Sequence, residues 1–249
     1  IYVCNATTVY KFVPENQTLS LWKMGDYREV GGGCVAPIQL YISFDTNICQ
    51  DVKWGNAEAG CAIQNIHLMA NALNLGTVCQ GGINRALIHQ ALGLPENERV
   101  LYKMPLGYPS SHYTDYQNLI PTNRPSSPVL PEIQDSNANI EYALDSVFSC
   151  NEWNRNPITP QELSQVLWAG YGYSYFLDNA TSPPKRHRTV PSAYEYYPMI
   201  IYVANSSAVY EYFPSKHTII MRVSGDKRAD IASASGNTWA SSTPLIIIT

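Results

Sequence analysis

The sequence predicts an α+β chain, a mixed and largely antiparallel sheet packed by helices, carried on two half-domains that share a repeat. Three observations lead there. Residues 56–82, NAEAGCAIQNIHLMANALNLGTVCQGG, place Ala59, Ile63, Ile66, Ala70 and Leu73 at the spacing of one buried helix face. Residues 1–14, IYVCNATTVYKFVP, align without a gap on 201–214, IYVANSSAVYEYFP, with seven identities. Both copies run on through an alternating segment, TLSLWKM or HTIIMRV, the pattern of a β-hairpin and its next strand.

In chain order, the first copy continues to Gly25-Asp26-x-Arg28 and an apolar strand, APIQLYIS (36–43); the second continues to Gly225-Asp226-x-Arg228 and TPLIIIT (243–249). The offset of 200 residues makes this a repeat of domain scale rather than a solenoid unit. The helix of residues 57–75 takes Asn56 as N-cap, Glu58 in its first turn and Gly76 as its left-handed C′ residue. Its alanines suit close packing, so it is expected to be central and largely buried, with Cys61 a small buried residue and a glycine-bounded loop after it. Pro109, Pro121, Pro125, Pro128 and Pro131, among Ser, Asn and Asp, mark 110–149 as an extended linker, towards whose end IEYALDSVF (140–148) is an amphipathic turn that is a candidate start for the second unit. Thr159-Pro160-Gln161-Glu162 then forms a capping box with proline at N1, and Leu163, Val166 and Leu167 share a face behind it. The organisation is thus 1–109, a linker 110–149, and 150–249, with the hairpin of 1–28 repeated in 201–228.

Composition narrows the function. A formal net charge of −4 gives no footprint for nucleic acid or anionic membrane, and no apolar run reaches the length of a membrane span. Six scattered cysteines without CxxC spacing argue against zinc. HExxH, P-loop and GxGxxG elements are absent, and Ser192 lacks a G-x-S-x-G elbow. His67 and His89 read as packed or surface residues rather than ligands. Sequons at Asn5, Asn16, Asn179 and Asn205, with little lysine, lean towards an extracellular or cell-surface protein, with the cytoplasm as the alternative. The first residue is Ile1, which suits a processed product or part of a longer chain.

The run GCAIQNIHLMANALNLGTVCQGG with ALGLPENERVLYKMPLGYP (91–109) resembles the second half of the flavin-dependent nitroreductases, nearest the azoline-oxidising dehydrogenases. PITPQELSQVLWAGYGYS and RHRTVPSAYEYYPMIIYVA (186–204) resemble the first half of such a domain. The resemblance covers roughly 200 residues in permuted order. It fits a tandem protein lacking its outer halves, a subunit completed by its neighbours, or a permuted domain with an extra hairpin. It implies a nitroreductase-like fold, a core helix at a dimer interface, a helix opened by G-D-x-R, and an FMN cofactor. Carried over position by position, it places Gly76, Thr77, Gly81 and Gly82 beside the flavin from one half, and Arg186, Arg188, Pro191, Ser192 and Ala193 from the other. Each has a plain alternative: a helix cap and tight turn for the glycines, a solvated charge run for Lys185–Arg188. The cations the family uses for the flavin phosphate are thin here. The stretch 146–158 offers only Arg155, residues 110–123 offer none, and Tyr194 stands where the family has glycine. The tyrosines Tyr194, Tyr196 and Tyr197 suit ring stacking, an interface or the core. Two functions of different class remain open. One is an FMN-dependent oxidoreductase acting on nitro, quinone or azoline substrates. The other is a non-catalytic extracellular assembly protein that kept the fold. Self-association, as a pseudo-dimer or head to tail, suits both.

Overall fold

A computed structural model describes residues 1–110, 120–150, 152–154, 156–174, 176–177, 183 and 185–249, with the backbone alone for Ile120, Phe176, Thr238 and Trp239. Arg155 and Asn179 lie outside the described residues. The chain divides into two compact units, Ile1–His112 and Tyr113–Thr249.

The first unit is built on a sheet of order β3-β2-β1-β4-β6-β5. Its strands are β1 (Tyr2–Cys4), β2 (Thr8–Val13), β3 (Thr18–Met24), β4 (Ile38–Asp45), β5 (Gly76–Thr77) and β6 (Glu98–Gly107). Side chains alternate across a strand, and β4 uses both faces. Tyr41 joins Tyr2, Cys4, Ile88 and Leu92 on the side of helix α2 (Arg85–Leu92), whereas Leu40 and Ile42 join Ala59, Ile63 and Met104 on the side of helix α1 (Val52–Ala72). Covering both faces explains why IQLYIS is apolar almost throughout.

Helix α1 begins earlier than its periodicity suggests. Asp51, not Asn56, is the N-cap, its carboxylate accepting the Lys53 N–H. Its far end falls at Ala72, and Asn74 rather than Gly76 takes the left-handed backbone, at φ 57°. Asn tolerates that region next best after glycine. Gly76 is thereby released to open β5. The helix buries a narrow stripe of Gly55, Ala59, Ile63 and Ala70, and leaves Trp54, Leu68 and Leu73 exposed, Leu73 at 57%. Cys61 is exposed, not buried. The expected face holds at Ala59, Ile63 and Ala70 and fails at Leu73.

The second unit repeats the meander as β9 (Ile201–Ala204), β10 (Ala208–Phe213) and β11 (Thr218–Ser224), closed by β12 (Ile246–Ile248) in the order β11-β10-β9-β12. The short strands β7 (Ile120–Pro121) and β8 (Phe176–Leu177) pair with each other before it. The repeat holds at the level of single hydrogen bonds. Val3 faces Tyr10 and Val203 faces Tyr210, and each copy carries a bulge between the same two positions, Val9/Tyr10 and Val209/Tyr210. A 3-10 turn comes after each second strand, ending in a left-handed residue, Gln17 or His217. In the first turn, Asn5 Oδ1 accepts the N–H groups of Thr7 and Thr8, and Asn205 does the same for Ser207 and Ala208. Both are Asx turns, which is a structural reason for asparagine at these two sequons.

Gly-Asp-x-Arg is a staple in both copies. Arg28 and Arg228 each grip both oxygens of the aspartate two residues back, and this holds Asp26 and Asp226 at a pKa of about 2. The remaining guanidinium nitrogen reaches the start of the closing strand: Ala36 and Pro37 carbonyls in one copy, Thr243 and Pro244 in the other. Between staple and strand the copies differ. Helix α5 (Arg228–Ser235) fills the second, whereas the first makes its return through Gly31-Gly32-Gly33, all three at φ near +80°. The helix expected after G-D-x-R therefore forms only where seven more residues are available.

Helix α4 (Pro160–Tyr171) covers the second sheet, with Leu167 and Tyr171 packed on Ile201, Val203 and Tyr212. Its capping box closes in both directions. Helix α3 (Ile140–Asp145) is short, capped by Asn139, and buries no residue. The segment before it does more than cross a surface: Leu130 and Ile133 are buried, Leu130 in the core of this unit. A polar chain anchors that segment. Ser164 Oγ donates to the Pro131 carbonyl at 2.6 Å and meets His217 Nε2 at 2.7 Å, and Tyr212 meets Nδ1 at 2.9 Å. With the serine proton spent on Pro131, Nε2–H donates to Ser164 and Nδ1 accepts from Tyr212. The buried imidazole is neutral and fully satisfied, and burial pushes its pKa down.

Candidate functional site

The nine residues assigned to a cofactor fall into two groups, one in each unit. In the first, Gly76 and Thr77 form β5, the edge strand, paired with Gly107 and Leu106 of β6. The chain then keeps to the rim of the sheet: Gln80 exchanges backbone hydrogen bonds with Lys103 at 2.9 and 3.1 Å, and Arg85 holds the Gly81 carbonyl at 2.9 Å. A side chain at Gly81 would lie against the Tyr102 ring, and one at Gly82 would point into open space. This stretch is thus an edge of nearly bare backbone, suited to a flat ligand. Two buried polar atoms on it, Thr77 Oγ1 and Gln80 Oε1, have no hydrogen-bond partner among the described residues. Burying such a group unpaired costs about 1–3 kcal/mol, so a partner from outside the chain is favoured there. Behind it Lys103, fully buried, donates to Gly32 O at 2.8 Å and pins the glycine loop; burial lowers its pKa.

In the second unit Arg188 is held among tyrosine rings. Its guanidinium carbon lies 4.2 Å from the Tyr171 centroid, 5.0 Å from Tyr197 and 5.1 Å from Tyr173. Cation–π attraction fixes the group without taking its N–H donors, and Nε is buried without a partner among the described residues. Ser192 is a structural residue, its Oγ accepting the Tyr197 N–H at 2.9 Å, while Pro191 is exposed and Ala193 exposed beside it. Tyr194 takes φ 52°, ψ 21°, the left-handed backbone that a glycine adopts without strain. Tyr194 and Tyr196 are 88% and 76% exposed and lean on one another, centroids 5.7 Å apart, whereas Tyr197 packs against the core. Arg186 bonds the Thr122 hydroxyl.

Two cations outside the nine line a cleft of this unit. Arg124 and Lys216 join Arg186 around a polar cleft of about 290 Å³, lined also by Ser126, Tyr173, Ser215 and His217. Arg124 carries a sequence signal, being the first cation after the Gly107-Tyr108-Pro109 tail. Lys216 carries none, because it lies in a hairpin turn with no motif around it. Among the described residues no cluster of His, Cys, Asp and Glu could hold a metal ion, and no helix is long and apolar enough to cross a membrane.

The rim strand, the bulged meander and the covered sheet give the fold its context. Residues 36–108 match the nitroreductase family. The fold is nitroreductase-like, α+β. A nitroreductase-like protein of Anabaena variabilis superimposes over 99% of this chain and 64% of its own, with a TM-score of 0.68 at 13% identity, which is a likeness of fold. In sequence, a nitroreductase-like protein of Methanocaldococcus jannaschii is 33% identical over 97 residues, 36% of this chain and 44% of that protein. An NADPH-flavin oxidoreductase of Vibrio harveyi is 40% identical over 60 residues, 23% of this chain and 25% of that enzyme. The chain spans less than half the length of the curated relatives it matches.

Proposed function

We propose that this chain belongs to an FMN-dependent oxidoreductase of the nitroreductase type, acting on an electron-poor organic substrate such as a nitro compound, quinone or azoline. One observation carries the reading. Of the buried polar atoms left without a partner among the described residues, Thr77 Oγ1 and Arg188 Nε fall on residues that the family resemblance assigns to the cofactor. A flavin ring offers both donors and acceptors along its edge, which is what a hydroxyl and an N–H require. The residues of each unit, taken by itself, fit such a group in kind: bare backbone at Gly81 and Gly82 with a hydroxyl at Thr77 in the first, and in the second a cation at Arg188 whose position the tyrosines set. Bound FMN would supply two-electron transfer to the substrate, and the protein's share is to orient the ring and set the charge beside it.

The test is the visible spectrum of the purified protein before and after incubation with FMN, repeated with Thr77→Val and Arg188→Met. Flavin absorbance that survives gel filtration in the parent, and weakens about tenfold in affinity for each variant, is the expected result. A second reading, a non-catalytic assembly protein, is favoured by Tyr194, a large exposed side chain in the glycine position. A parent that retains no FMN under any condition removes the enzyme and leaves that second reading.

A further inference from the structure

The polar cleft of the second unit is unlike the rest of the chain. Among the described residues that line it, three are cations (Arg124, Arg186, Lys216) and none is a carboxylate, in a protein of net charge −4. The three lie far apart along the chain, so the fold and not local sequence gathers them. Gathering like charges is unfavourable unless something offsets them. Arg124 is offset by Asp135 at 2.6 Å, and neighbouring Lys185 by Glu195 at 2.9 Å. Among the described residues Arg186 meets neutral oxygen, the Thr122 hydroxyl, and Lys216 stands at the mouth, exposed to solvent. The uncompensated charge is therefore about two, which matches a phosphate near neutral pH. The serines Ser126 and Ser215 add hydroxyl donors, and the floor is His217, held rigid by Ser164 and Tyr212. Among the described residues the lining contains no extended apolar wall, so it suits the phosphate end of a ligand and not an aromatic ring.

We propose that this cleft binds a phosphate dianion, with Arg186 and Lys216 as its charged anchors and Ser126 and Ser215 as its hydroxyl donors. The phosphate is either the terminal group of FMN, a form that rests on the function proposed above, or a free phosphate or other phosphate monoester.

Titration calorimetry of the full chain with inorganic phosphate, FMN and riboflavin separates these sources. The variants are Lys216→Gln, at a turn position that leaves the core untouched, and Arg186→Met. Phosphate binding that falls about tenfold in Lys216→Gln and more in Arg186→Met, and weakens as salt is raised, supports the site. Competition between phosphate and FMN, with riboflavin binding unchanged in Lys216→Gln, assigns it to the flavin. Phosphate binding without any flavin binding keeps the cleft and overturns the oxidoreductase. Equal binding of FMN and riboflavin, with no phosphate binding, keeps the flavin and overturns the cleft, as does phosphate affinity that neither variant changes.

Discussion

Tyr194 shows what a single backbone conformation costs. It holds a left-handed backbone that costs a non-glycine residue about 1–2 kcal/mol, and its ring makes little contact beyond Tyr196. Tyr194→Gly is therefore expected to stabilise the protein by about 1 kcal/mol in urea unfolding, despite the loss of a large side chain. A clear destabilisation would show that the Tyr194 ring contributes contacts outweighing the strain. His217 makes the opposite kind of statement, since its imidazole is neutral, buried and satisfied on both nitrogens. Its folded pKa lies below the unfolded value of about 6.5, so the unfolded chain takes up the proton first. Stability is then full above about pH 6.5, falls as the pH drops through that value, and stops falling once the folded pKa is passed. His217→Asn keeps a residue that tolerates φ 44° and should flatten this part of the pH profile relative to the parent. An unchanged slope between about pH 7 and 5 would place the titrating group elsewhere, with His67, also depressed by burial, the first alternative.

At the scale of elements, the local signals that proved reliable are those in which the backbone's own needs are met by nearby side chains. The capping box of α4 is such a case: Thr159 and Glu162 satisfy one another's N–H groups with no help from the fold. Thr159→Ala is expected to cost about 1 kcal/mol by urea unfolding, and Thr159→Asp to restore most of it. The start of α1 was less legible for a related reason. Asn56 and Asp51 are both good caps, and the choice between them depends on Gly55 lying against the Phe44 ring, which extends the helix back along β4. The two G-D-x-R staples share geometry, yet the length of chain between staple and closing strand makes a three-glycine loop in one copy and α5 in the other.

At the scale of the whole molecule, each unit has its own core, and each can be probed separately. Ile88→Ala removes a fully buried side chain under the first sheet, and Leu167→Ala one under the second. Each should cost about 2–5 kcal/mol, with amide hydrogen exchange rising first in the unit that carries the change. Exchange that rises equally throughout would mean that the two cores unfold as one. The sequence by itself determined the hairpin and its next strand in both copies, because alternation and turn residues are short-range signals. It also determined the nitroreductase-like character of 36–108 and the capping of α4. Only the tertiary structure decided the features that depend on distant residues meeting. It put Leu130 of the proline-rich stretch into a core, left one face of α1 uncovered, and set Arg188 among three tyrosines. It also gathered Arg124, Arg186 and Lys216 around one cleft. Burial and charge convergence are properties of a folded surface, and no spacing along the chain encodes them before the sheet is formed.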